Sequence, residues 1–488
     1  MRHAVPALSV LAVAVAVAVA VAVAGCGSRT GSGPTVLRLA SPDPAGLAHQ
    51  PAIAAFARDV ERLSGGRMRI VADESRSGGG TGNADEPALL RDVARGRADL
   101  GWAHARSLPA VGVDAFEPFD VPGLVDGYGV QGAVVGSHLA ADMLAGVRTA
   151  GLRGLAVLAG PLSHPVGTRA PLRAVADYRR LDFGLRRSPV ADRAVRALGA
   201  RPVTLDHDHI DQLYLDVLNH SRTQVGYEDD LDSLFFERDD DARPWLTANV
   251  ALWARPAVLV ANPGRWRALT AAQRGWLARA AATAATASAT LARDRDRALL
   301  GELCAAGVHV VLASPSDRAS VVRAARASTV PMLRGGENGA PIRRMATLRH
   351  RAGPDAAPRV PPECGRDGRN RPIRSTLPDG VYRTRITAAD VRAAGGTSGD
   401  AEPGTQTLTL RGGRWHLVVT EPGRYEERGT YTGTPLRTTI ISRRNVIRDL
   451  AYVSVAVAPG GLTFHVGRAP SAFWPATFAS HRWRRIGS

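Results

Sequence analysis

Few residues in this chain have the types and spacing that chemistry demands. Asp206-His207-Asp208-His209 carries metal-ligand side chains. Neighbours on an extended chain point to opposite sides, so at most two of the four could share an ion, and no metal is expected. There is no GxSxG, HExxH or CxxC motif and no paired-carboxylate signature. Lysine is absent, so all 62 basic residues are arginine, which excludes a P-loop lysine and Schiff-base catalysis. The chain reads as a non-enzyme without a cofactor. Trp102 and His104 close the run ADLGWAH at a strand end, where open α/β sheets place their ligand crevice. An aromatic there can stack on a planar solute, and a core Trp packed between helix and sheet is at least as common. Trp253 and Arg255, in ALWARPAV, share parity on a strand, so both face inward or neither does.

The elements that must position these residues follow from periodicity. From Val36 to about Val330, apolar strand-like runs (VLRLA, RMRIVA) alternate with amphipathic stretches (AIAAFARDVERLSG, ALLRDVARGRADLGWA), which predicts an α/β fold with a mainly parallel sheet. Thr270-Ala-Ala-Gln273 is a capping box before an apolar-periodic run, so a long helix is expected from about Ala271 to Ala306. Residues 332–375, dense in Pro, Gly and Arg, have no periodicity and read as a linker. From 376 to 488 the chain shows short alternating runs such as GVYRTRI, QTLTLRG, RWHLVVT and YVSVAVA between Gly- and Pro-bearing turns. That spacing suits a small all-β barrel or sandwich, with Trp474 and Trp483 closing one end.

With 488 residues, 45% of them hydrophobic and 22% charged, the chain is long enough for two or three domains. The net charge of +17 is spread along the sequence without interleaved aromatics, so no nucleic-acid partner is expected. Of three cysteines, Cys304 and Cys364 could pair in an oxidising compartment, tying a helix end to the loop PPECGRDG; the sequence leaves their distance open.

Cys26 has a different setting. Arg2 and His3 precede an apolar stretch from about Ala7 to Ala24 that ends in Val-Ala-Gly-Cys, the pattern of an export signal with a small-residue cleavage site. Positions 23–26 resemble the lipobox of bacterial lipoproteins, in which the Cys is lipidated. This implies a signal peptide over 1–26, a Gly/Ser tether over 27–35 and a body held at the cell membrane on its extracytoplasmic side. Left uncleaved, the run approaches bilayer-spanning length, and the body is still placed outside the cytoplasm.

Residues 36–331 resemble the DctP-like extracytoplasmic solute-binding proteins of TRAP transporters. The landmarks occur in order: AFARDVERLSGGRMRIV, EPFDVPGLVDGYG, GLRGLAVLAGPLSHPVGTRAPLRAVADYRRLDFG, SPVADRAVRALGARPV and WLTANVALWARPAVLVANPGRWRALTAAQRGWLARAA. The resemblance implies a two-lobed, periplasmic-binding-protein-like (Venus-flytrap) domain, its second lobe roughly 161–250, that closes over a small polar organic solute, organic acids among the candidates. Its partners would be that solute, membrane permease subunits and, through the lipid, the membrane. The family's carboxylate-anchoring Arg aligns with Gly184, so Arg186 and Arg187 are the nearest replacements. Its acidic signature aligns with Val225–Asp230, where Glu228 would orient an arginine or accept from a ligand hydroxyl. Trp253 and Arg255 fall by analogy in the hinge region. The alternative is a repurposed envelope lipoprotein with a degenerate cleft, acting through its β domain or basic surface. DGVYRTRIT and the Trp-rich end look like the lipocalin-like barrel appended to some bacterial lipoproteins.

Overall fold

The computed structural model describes residues 33–42, 51–72, 86–205, 224–237, 244–305, 307–329, 338–360, 364, 377–394, 401–420, 425–434, 437–442, 449–468 and 474–487. Cys26, the signal stretch, most of the tether and Asp206–His209 lie outside them.

In chain order the α/β body contains β1 (Thr35–Ala40), β2 (Met68–Ala72), β3 (Leu100–His104), β4 (Arg153–Leu158), β5 (Leu162–Gly167), β6 (Asp182–Leu185), β7 (Arg201–Thr204), β8 (Val225–Asp229), β9 (Trp245–Thr247), β10 (Trp253–Ala254), β11 (Ala257–Ala261) and β12 (His309–Val311). They form two sheets, one per lobe. Lobe one has the order β2-β1-β3-β11-β4, and lobe two β12-β9-β5-β8-β6-β7 with β10 paired to β5. The fold is therefore a two-lobed α/β body of the periplasmic-binding-protein kind. The expected mainly parallel sheet is corrected. β11 runs antiparallel to β3 and β4, and β5 antiparallel to β8, β9 and β10. The reason is topological: the chain leaves lobe one after β4 and re-enters it at β11, so each sheet takes in strands that arrive from the other lobe.

Local patterning explains the helices that cover these sheets. Pro51–Ser64 buries Ile53, Phe56, Ala57 and Val60, spaced three and four apart on one face, against lobe one. The helix Ala271–Ala305 starts where its capping box predicts. The Thr270 amide donates to Gln273 Oε1 (2.9 Å), and the Gln273 amide donates to Thr270 Oγ1 (3.2 Å). At 35 residues it is about 52 Å long, and it packs on Pro51–Ser64 and β4 in lobe one and on the helix Leu231–Glu237 in lobe two. Together with the crossings at 159–161 and 255–256, it joins the lobes.

The stretch read as a linker is corrected in part. Gly339–Ala352 is a helix whose Ile342 and Met345 are buried in the core of lobe one, with Leu348 packed beside them. Cys304 and Cys364 form a disulfide with both residues fully buried.

The last region is a closed barrel of eight antiparallel strands, each next to its sequence neighbours: β13 (Gly380–Ile386), β14 (Gly404–Arg411), β15 (Arg414–Val419), β16 (Tyr425–Thr434), β17 (Arg437–Ser442), β18 (Asp449–Ala458), β19 (Gly461–Arg468) and β20 (Trp483–Gly487). Alternation sends Tyr382, Leu408, Trp415 and Phe464 inward. Trp474, Phe478 and Trp483 pack against them, Trp474 stacked on Phe478 at 5.5 Å and Phe478 edge-on to Phe464 at 5.2 Å. Aromatic side chains thus fill this part of the interior.

Candidate functional site

The lobes meet at a buried ionic cluster centred on Arg106. Arg106 follows β3 in lobe one, and its guanidinium reaches across to β8. Nε donates to Asp120 Oδ1 (2.8 Å), Nη1 donates to Glu228 Oε1 (2.5 Å), and the group lies over the Trp253 ring at 4.7 Å. All three charged side chains are buried, at 8% exposure or less. Burial opposes the charge on Arg106, but the two carboxylates outweigh it, so the guanidinium stays protonated. Lobe two supplies the remaining partners. Ser188 Oγ donates to Asp120 Oδ2 (2.7 Å), the Arg186 backbone N–H donates to Glu228 Oε1 (2.7 Å), and the Trp253 indole N–H donates to Glu228 Oε2. Nη2 of Arg106 is buried with no hydrogen-bond partner among the described residues.

Two satellite pairs flank this centre. Arg255 pairs with Asp230, whose carboxylate also accepts from the Ser233 amide (2.9 Å); burial would raise the Asp230 pKa, and these partners bring it below the usual range. On lobe one, Glu86 accepts from the His104 amide (2.8 Å) and Ser107 Oγ (2.6 Å), while His104 Nδ1 lies 2.7 Å from its other oxygen. Burial pushes Glu86 up, but these contacts and the Arg186 charge bring its carboxyl down to about 2. Burial moves His104 the other way, below the usual imidazole range, against the pull of the Glu86 carboxylate.

The residues singled out from sequence divide accordingly. Glu228, Trp253 and Arg255 are buried at the lobe junction; Ala254 and all of residues 250–261 are buried as well, and the strand ends at Ala254, so the shared parity of Trp253 and Arg255 is not what buries them. Arg186 joins through its backbone, its side chain half-buried, whereas Arg187 is exposed and stands outside the cluster. His104 is held by Glu86. Trp102 is a core residue of lobe one whose indole N–H donates to Ser41 Oγ (3.1 Å). At Gly184 the space a side chain would enter is taken by Leu205, 2.9 Å from an ideal Cβ. Sequence reasoning missed Arg106, Asp120 and Asp230. Asp230 lies two residues beyond Glu228 and Asp120 sits in the conspicuous EPFDVPGL, but nothing local marked Arg106 among so many arginines.

A shallow recess is lined by Pro51, Gly160, Pro161, Asp232, Arg295 and Asp296, among others. Burial and the neighbouring Asp230 and Asp232 carboxylates push Asp296 up to about 8, against the opposing effects of the Tyr128 hydroxyl that donates to it and of Arg295. Folded Asp296 thus holds a proton between about pH 4 and 8 that the unfolded chain has lost, and the folded state is penalised increasingly as pH rises through that window. Asp296→Asn, which mimics the protonated form, is expected to gain about 2 kcal/mol over wild type at pH 8.5 after allowance for partial exposure, and nothing at pH 4. Urea unfolding across pH measures this; a gap that does not widen with pH removes the assignment.

Residues 43–207 match the family model "Bacterial extracellular solute-binding protein, family 7". No curated protein matches the chain at the sequence level. Solved structures share the fold: a TRAP periplasmic solute-binding protein from Ochrobactrum anthropi, its C-terminus bound in its ligand-binding pocket (20% identity, 66% of this chain and 97% of that one, TM-score 0.56); the sugar acid binding protein DctPAm of Advenella mimigardefordensis in complex with galactonate (19%, 66% and 99%, 0.55); and a TRAP periplasmic solute-binding protein from Shewanella oneidensis with bound succinate (17%, 64% and 99%, 0.54).

Proposed function

We propose that this chain is an extracytoplasmic solute receptor that takes a small polar organic solute between its lobes and presents it to a membrane permease, tethered to the membrane by lipid on Cys26. The observation that carries this reading is the family match over residues 43–207, which runs from lobe one through the first crossing to β7 in lobe two. Its physical support is a junction where polar groups from both lobes converge around Arg106 while two crossings and one long helix leave a hinge. Arg106 Nη2 is then the buried donor available to a ligand oxygen, a role Gly184 cannot fill. Binding needs such fixed polar groups and no nucleophile, so no catalytic step is assigned.

A second reading has its own support. The Glu228 carboxylate is already engaged by Arg106, Arg186 and Trp253, and Leu205 occupies the space beside Gly184. That suits an envelope lipoprotein whose cleft has turned inward and whose lipocalin-like barrel makes the contacts.

A thermal-shift titration of the mature chain with galactonate, succinate, neutral sugars and amino acids separates the two. A true solute at a hundred times its Kd adds about 2.7 kcal/mol and raises Tm by several degrees. No rise with any of them rejects the receptor in favour of the second reading.

A further inference from the structure

Beyond the lobes' own junction, the polypeptide following lobe two crosses the molecule again. The helix Pro315–Ala327 lies on lobe two, with Val321 and Ala325 buried beside Leu185, Ala191 and Val195. From it Arg326 donates to the carbonyls of Pro122 (3.3 Å) and Gly123 (2.5 Å) in lobe one. The helix Gly339–Ala352 is then seated on lobe one. Ile342 and Met345 enter its core, Arg349 Nη2 pairs with Asp126 Oδ2 (2.8 Å), and Asp355 just beyond accepts from the amides of Tyr128 (2.6 Å) and Gly129 (3.1 Å). A carboxylate on those first amides of the helix Tyr128–Val135 is favoured by unpaired N–H groups and by the helix dipole. Five residues after Asp355 the path is back on lobe two. Val360 packs on the cluster of Val166, Leu231, Phe235 and Leu246, and Cys364 is bonded to Cys304 at the end of the long helix.

We propose that residues 338–360, together with Cys364, act as a strap that fastens lobe one to lobe two, anchored by Asp355 and the Gly339–Ala352 helix at one end and by Val360 and the Cys304–Cys364 bond at the other, and that it limits how far the lobes part. The nine residues from Asp355 to Cys364 span at most about 30 Å when fully extended, so the bond leaves a short leash even if the packing between them lets go. Both cysteines are fully buried, so a dithiol cannot reach the sulfurs while the strap is seated. The fastening is therefore permanent rather than a switch. It concerns the range of hinge motion whatever the cleft holds, and so stands apart from the solute-binding reading.

The test uses the full chain without any solute. Hydrogen exchange is followed in peptides covering Arg106, Glu228 and Tyr128–Gly129, with small-angle scattering in parallel, for wild type, Cys304→Ser/Cys364→Ser and Asp355→Ala. The double variant is expected to exchange at least ten-fold faster in all three peptides, with a larger radius of gyration and a Tm lower by several degrees. Asp355→Ala, which keeps the bond and can be read even if the double variant does not fold, is expected to speed exchange at Tyr128–Gly129 and at Arg106 by several-fold. Unchanged exchange at Arg106 and Glu228 in either folded variant overturns the strap and leaves the disulfide as a staple of lobe two alone.

Discussion

Arg106→Met is expected to cost about 3–5 kcal/mol of unfolding free energy, because it deletes one partner of a buried ionic cluster and leaves two carboxylates without their counter-charge. Among the described residues, Asp120 would retain only Ser188, and Glu228 only the Arg186 amide and the Trp253 indole. The contact with the Trp253 face is lost as well. The loss is one of stranded charge rather than of packing, since methionine keeps much of the apolar stem. The expectation follows that Arg106→Met combined with Asp120→Asn and Glu228→Gln recovers most of the deficit, as replacing a whole buried cluster is often nearly neutral. Urea denaturation of the single and triple variants measures both. A single variant within 1 kcal/mol of wild type would show that Asp120 and Glu228 find other partners and that Arg106 does not join the lobes.

That cluster also marks the limit of what the sequence discloses. Helix starts and barrel strands were legible because their causes are local: the Thr270–Gln273 capping box needs four residues, and the alternation in GVYRTRI needs seven. Arg106 and Glu228 lie 122 residues apart, and no short-range pattern distinguishes this arginine from the other 61. The helix Gly339–Ala352 was hidden differently. Its three core-facing residues, Ile342, Met345 and Leu348, are spread among five basic side chains and follow Pro341, so composition suggested a linker while the three-residue spacing was enough to seat one face. The antiparallel strands were missed because a strand's direction depends on which lobe the chain comes from.

The lobe crossing itself makes a comparably severe demand at one position. Gly160, between β4 and β5, passes so close to the second crossing that an ideal Cβ would lie 1.9 Å from the Arg255 carbonyl oxygen and 2.9 Å from its carbon. Its φ is not left-handed, so glycine is required there for space and not for backbone freedom. Gly160→Ala must push the crossings apart by about 1 Å, since Cβ contacts closer than 3.0 Å essentially do not occur. Neither side can yield easily. The Gln131 amide clamps Gly160 from lobe one, donating to its carbonyl (2.9 Å) and accepting from its N–H (3.0 Å), and the Arg255 amide donates to the Pro161 carbonyl (2.9 Å). Overpacking against backbone and the stranding of one or two buried hydrogen-bonding groups sum to about 4 kcal/mol. Gly184→Ala is the matched control, because the three atoms nearest its Cβ all belong to the Leu205 side chain, at 2.9, 3.0 and 3.1 Å, rather than to backbone, and it is expected to cost about 1 kcal/mol. Equal costs for the two in urea unfolding would mean that the crossings slide past one another freely. A larger cost at Gly160 means that the two crossings are held in contact there, beside the Arg255 side chain that pairs with Asp230.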